Sequence, residues 1–124
     1  MQNILLISLG AIVGANLRYS VAQIATRLIP SGFPYGTLLI NLSASFILGF
    51  FLTWTNERVL TDPRWRLLVA VGFCGGYSTY SSFAYETFVL FDRGQWALAA
   101  SNILGMNIVC LLAVVLGAAL ARML

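Results

Sequence analysis

The sequence predicts an all-α integral membrane protein of four transmembrane helices, the third broken near its middle. Three observations carry that expectation. Hydrophobic residues make up 60 % of the 124 and charged residues 9 %, whereas a water-soluble domain carries about 25 % charge. Such a chain cannot cover a water-facing surface, and no polar stretch in it is long enough for a soluble domain. Four apolar runs, each near the roughly 20 residues that a bilayer core requires, are separated by short segments that hold most of the charges. Inside the third run stands Gly75-Gly76-Tyr77-Ser78-Thr79-Tyr80-Ser81-Ser82-Phe83. Each glycine costs a helix interior about 1 kcal/mol relative to alanine. Backbone that leaves the helix at membrane depth is tolerated only where protein or a water-filled cavity covers it.

The first run, residues 4–28, lacks the basic flank of a signal peptide and continues past Arg18, so it reads as a membrane helix. Pro30-Ser31-Gly32-Phe33-Pro34 is a turn. The second span, residues 36–55, is uncharged, with Tyr35 and Trp54 near its ends, where aromatic belts form. A polar loop with Glu57, Arg58, Asp62, Pro63, Arg64 and Arg66 follows. The third span covers residues 67–90. Asp92-Arg93-Gly94 turns the chain into the fourth, residues 95–121. The whole is one transmembrane domain over residues 1–124 of a multi-pass protein of the cell (plasma or inner) membrane.

Four spans place both termini and the second loop on one side. Arg58, Arg64, Arg66 and Arg122 lie there, against Arg27 and Arg93 opposite. The positive-inside bias is weak, so insertion in both orientations is open. Gly10 and Gly14, Gly72 and Gly76, Ala97 with Ser101 and Gly105, and Gly117 with Ala121 are small-xxx-small pairs, which let helices approach closely in lipid and suggest oligomerisation.

All seven cations are arginines, without a basic run, and there is no histidine. Nucleic acid is therefore a poor partner, and the commonest general base is missing. Without a histidine, a carboxylate cluster or a phosphate loop, the chain is not expected to be an enzyme. Cys74 and Cys110 lie apart in apolar runs and read as small buried hydrophobes.

Polar groups inside the spans carry the functional reading. Thr37, Asn41 and Ser45 share one helix face at i, i+4, i+8. An unpaired amide in hydrocarbon costs several kcal/mol, so Asn41 either glues helices together or faces a polar path. Tyr80 and Phe83, at i, i+3, either pack or turn ring edges, which are positive, towards an anion. Ser78, Thr79, Ser81 and Ser82 add hydroxyl donors. A helix broken at Gly75 is either a simple kink or a source of free carbonyls that suit a hard cation such as sodium. Arg18 and Glu86 are the two charges most clearly within or bordering the spans, and intramembrane charges pair or face water, which makes an Arg18–Glu86 ion pair the expectation.

Three motifs carry a family resemblance over the full length. They are Gly10-Ala11-Ile12-Val13-Gly14-Ala15-Asn16-Leu17-Arg18-Tyr19, Gly36-Thr37-Leu38-Leu39-Ile40-Asn41, and Gly72-Phe73-Cys74-Gly75-Gly76-Tyr77-Ser78-Thr79-Tyr80-Ser81-Ser82-Phe83. The chain resembles the CrcB/Fluc fluoride channels. The resemblance implies an antiparallel, dual-topology homodimer with two fluoride pathways and a central structural sodium ion (Na+), its partners being fluoride, membrane lipid and a second copy of itself. It implies that the backbone carbonyls of Gly75 and Ser78 hold the sodium, that Asn41 is the pore amide, and that Tyr80 and Phe83 present ring edges to fluoride. Ser101 would belong to a polar track of the fourth span, with Thr37 nearby, and Thr79 would add a hydroxyl to the path. Tyr80 stands where the family usually has phenylalanine. The function expected is passive export of fluoride. The rivals are a small multidrug or cation exporter, which needs an intramembrane carboxylate, and a non-transporting scaffold subunit.

Overall fold

A computed structural model describes residues 1–57 and 62–124, and among the described residues the regular structure is entirely helical. Helix α1 is Gln2–Leu28 and α2 is Tyr35–Asn56. Three helical segments, Pro63–Trp65, Arg66–Cys74 and Gly75–Tyr77, follow one another without interruption and form the rod α3, residues 63–77. Its middle segment is wound as a π-helix, a geometry that recurs at functional sites. Helix α4 is Tyr80–Asp92 and α5 is Trp96–Met123. Helices α1, α2 and α5 are each long and apolar enough to cross a membrane. The third passage is shared between α3 and α4, neither of which has that length.

Local chemistry sets the ends of these rods. Asp62 caps α3 by accepting a hydrogen bond from the Arg64 amide at 2.9 Å, with Pro63 in the first turn, where its missing N–H costs nothing. Helix α4 ends at Gly94, whose φ of 71° is the left-handed conformation that glycine adopts readily. The Gly94 amide returns to the Phe91 carbonyl and the Gln95 amide to the Leu90 carbonyl, each at 2.9 Å. This pair of bonds is a Schellman motif, and it reverses the chain into α5. Arg122 Nε lies 3.4 Å from Glu57 Oε1, which brings the carboxyl end to the same side as the loop after α2. Arg58, counted above for that side, lies outside the described residues.

Two glycine seams hold the rods. Helix α1 packs on α3, and α2 on α5. A Cβ on Gly72 would fall 2.6 Å from the Ile7 carbonyl oxygen and one on Gly76 2.7 Å from that of Ala11. Side chains on Gly10 and Gly14 would collide with the Leu68 and Phe73 carbonyls in return. Gly49 and Gly117 close α2 on α5 against Val114 and Phe46. In lipid, helices associate by such contact rather than by expulsion of water. The Ala97–Ser101–Gly105 stripe differs. A Cβ on Gly105 would meet nothing within 4 Å, so this stripe faces away from its own chain.

The break in the third passage lies near its middle, within the stretch expected for it. Gly75 and Gly76 are helical, and the backbone leaves the helix at Ser78 (φ −69°, ψ 158°) and Thr79 (φ −152°, ψ 109°). Gly76 serves the α1 seam, and contact with α1 offsets its helix cost.

Candidate functional site

The break is held by one side chain. Asn41 Oδ1 accepts from the Thr79 amide at 2.8 Å, and Asn41 Nδ2 donates to the Thr79 carbonyl at 3.0 Å. A primary amide thus pairs with an extended residue as a neighbouring strand would. These two bonds also fix which end of the Asn41 side chain is oxygen. Its remaining N–H faces the Met106 thioether at 3.6 Å, a weak acceptor.

Thr79 then starts the next helix. Its Oγ1 accepts from the Ser82 amide at 3.2 Å and donates to Ser82 Oγ at 2.9 Å, which caps α4. Before the break, the Ser78 amide and hydroxyl both donate to the Cys74 carbonyl, at 2.9 and 2.8 Å. The Gly75 and Ser78 carbonyls are among those this arrangement affects. In a continuous helix the Thr79 amide would bond the Gly75 carbonyl, and the Ser82 amide that of Ser78. Both donors are engaged elsewhere, by Asn41 and by the Thr79 hydroxyl. Gly75 is exposed on the outer face of α3, and a Cβ there would meet nothing within 4 Å.

A groove of about 310 Å³ opens beside the break, lined by Asn41, Ser45, Thr79, Tyr80, Phe83 and Met106, among others. Phe83 is buried at 6 % exposure, while Tyr80 stands out at 79 %. Their ring centroids lie 5.4 Å apart with an interplanar angle of 60°, so the pair straddles the chain's surface.

One helical turn before Asn41, Thr37 lines a larger cavity of about 730 Å³ with Glu86, Tyr35 and Arg93. Thr37 Oγ1 donates to Glu86 Oε1 at 2.7 Å. Glu86 Oε2 is buried and has no partner among the described residues. The α2 face of Thr37, Asn41 and Ser45 therefore runs from this cavity into the groove.

The expected Arg18–Glu86 pair does not form within the chain. Glu86 rides on α4 and takes its hydrogen bond from Thr37, whereas Arg18 is on α1, which packs against α3 and α2. Ser101 is exposed on α5 and does not line the groove. The face of α5 turned inward is instead Asn102, Met106 and Cys110, again at i, i+4, i+8. Asn102 is fully buried. Its Nδ2 donates to Thr87 Oγ1 at 2.9 Å, and Thr87 Oγ1 donates to the Phe83 carbonyl at 2.7 Å, which ties α5 to α4 behind the Phe83 ring. The signal for Asn102 was the one that singled out Asn41: an amide in an apolar run.

Sequence comparison adds to this geometry. The model of the family described as "CrcB-like protein, Camphor Resistance (CrcB)" matches residues 5–118. The fluoride-specific ion channel FluC of Koribacter versatilis is 52 % identical over 122 residues, covering 98 % of this chain and 97 % of its own. Proteins of the same name from Sulfurihydrogenibium sp. and Roseiflexus sp. are 42 % and 40 % identical, over 100 % and 99 % of both chains. With its family match over nearly the whole length and its broken third passage beside three long apolar rods, the chain belongs to the CrcB family of multi-pass membrane proteins.

Proposed function

We propose that this chain is a fluoride-selective channel. It lets cytoplasmic fluoride leave passively, works as an antiparallel dual-topology homodimer, and carries a structural sodium ion between the subunits. The observation that carries the reading is the Asn41 amide. Two bonds to Thr79 orient it, and its last N–H points into the groove at a thioether. An anion is a far better acceptor than that sulfur, so the amide is a preorganised and neutral donor. Fluoride is small and strongly hydrated, and a narrow path must return the hydrogen bonds that its water supplied. Asn41, the Ser45 hydroxyl and the Phe83 ring line one groove and would serve that purpose. Conduction requires binding firm enough to admit the ion and weak enough to release it, which neutral donors serve better than an arginine. The interior-negative potential, about 2.3 kcal/mol per charge per 100 mV, drives the anion outward.

The residues present fit a sodium ion. The Gly75 and Ser78 carbonyls are among those whose helical donors are diverted at the break, and Gly75 stands on an open face. Carbonyl oxygens suit a hard cation, and among the described residues no cluster of acidic, cysteine or histidine side chains competes for it. Bound there, the ion would supply positive potential beside the path without offering the anion a side-chain cation. The sequence similarity to proteins named fluoride-specific ion channels supports the substrate.

Reconstitution tests the proposal. Liposomes containing the purified protein are expected to release fluoride rapidly and to retain chloride. Release no faster than from protein-free liposomes overturns the reading, and proton-coupled uptake of an organic cation would assign the chain to the small exporters.

A further inference from the structure

Two sulfur atoms face the groove, and the function above uses neither as a ligand. Cys110 Sγ lies 3.8 Å from Met106 Sδ, one helical turn away on α5, and Met106 Sδ lies 3.6 Å from Asn41 Nδ2. Both residues line the groove, which Cys74 does not. Met106 is nearly buried at 6 % exposure, while Cys110 is half-buried. A thiol and a thioether side by side form a soft donor pair, which discriminates for soft cations such as Cu(I) and against sodium or magnesium. Methionine has three rotatable bonds, so the pair can open to admit a metal between its sulfurs.

We infer that Cys110 and Met106 form a binding site for a soft monovalent cation of the Cu(I)/Ag(I) class inside the groove. Binding forms a sulfur–metal bond at Cys110 and releases the thiol proton to solvent. Met106 supplies a neutral second ligand, and no electron is transferred. A cation held there takes the thioether away from Asn41 and sits within reach of that amide. It therefore plugs the path or traps the anion on it. The plugging rests on the function proposed above, whereas the site itself does not.

The test uses silver nitrate in chloride-free medium with the purified full-length protein. Maleimide labelling is resolved at Cys74 and Cys110 by peptide mass spectrometry. Silver is expected to protect Cys110, with one proton released per site. Met106→Leu, a volume-conserving change, should raise the silver concentration needed by about tenfold or more, the scale on which even supporting groups alter metal affinity. In liposomes the same silver concentration should stop fluoride efflux, a thiol scavenger should restore it, and the efflux of Cys110→Ser should be insensitive to silver. Protection of Cys110 that is indifferent to Met106→Leu overturns the inference, because the cysteine then acts alone. So does a Cys110 that takes up neither maleimide nor silver, or fluoride efflux that persists with Cys110 protected. If fluoride efflux is absent without silver, the proposed function fails, and the protection experiment still decides the site.

Discussion

Helices α3 and α4 meet inside one stretch without charge, residues 67–85, yet are built on opposite terms. The α3 half presents the absence of side chains. Gly72 and Gly76 let α1 come so close that a single added carbon meets a backbone carbonyl. The α4 half presents hydrogen-bonding groups. Thr79 engages Asn41 through its backbone and Ser82 through its hydroxyl. A glycine in a membrane helix is thus not by itself a sign of breakage. The break lies where backbone donors find better partners than the preceding turn, and that requires an amide on a neighbouring helix.

The largest effect expected from this contrast is on the glycine side. Gly72→Val drives a branched side chain into the Ile7 carbonyl, with backbone rather than a flexible side chain to displace. The cost should reach the upper end of the roughly 1–3 kcal/mol typical of overpacking, or exceed it. Little monodisperse protein should survive size-exclusion chromatography in detergent. Gly75→Ala, three residues on, meets open space and should leave the chain folded. If the two variants behave alike, the seam is not what separates the halves.

Next comes the clamp. Asn41→Asp keeps an acceptor for the Thr79 amide but loses the donor to its carbonyl and brings negative charge to the groove. Asn41→Ala loses both bonds. Each orphaned buried group costs about 1–3 kcal/mol, so fluoride efflux should fall by about a hundredfold or more. Asn41→Ala that conducts like the parent would remove the clamp from the account.

Much of this could be read from the sequence, and the rest could not for definite reasons. Hydropathy and length suffice for α1, α2 and α5, because a bilayer demands a continuous apolar rod. The face of Thr37, Asn41 and Ser45 follows from the 3.6-residue period and does run along both cavities. The stretch that holds the break is legible as well, but not the residue at which the helix ends: propensity points to the glycines, whereas contact with α1 offsets the penalty at Gly76 and the backbone leaves the helix at Ser78 and Thr79. Arg18 and Glu86 are the two charges most clearly within or bordering the spans, which suggests a pair, but Glu86 takes its hydrogen bond from the neutral Thr37. Ser101 is named as a site residue by the family resemblance alone, whereas Asn102 turns inward because of a rotation of α5 that its packing on α2 and α4 sets.

A smaller effect tests the start of α4. Thr79→Val removes the oxygen that accepts from the Ser82 amide while preserving shape. A lost cap costs about 1 kcal/mol, which should appear as a lower unfolding temperature in detergent and a several-fold slower efflux. Thr79→Ser, which keeps the oxygen, should restore both. An undamaged Thr79→Val beside a damaged Thr79→Ser would mean that the methyl group, and not the cap, is what matters.

The smallest effect belongs to Tyr80. Its ring is 79 % exposed and pairs with Phe83 through ring contact alone. Tyr80→Phe keeps that contact and removes only a hydroxyl that takes part in no hydrogen bond among the described residues. Surface changes of this kind stay within about 0.5 kcal/mol, so stability should be unchanged and efflux should stay within about twofold. Phe83→Ile removes a ring edge from the groove itself and should slow efflux well beyond that. If Tyr80→Phe proves the more damaging of the two, the phenol is a donor to the anion, and the working surface of the pair is the outer ring rather than the buried one.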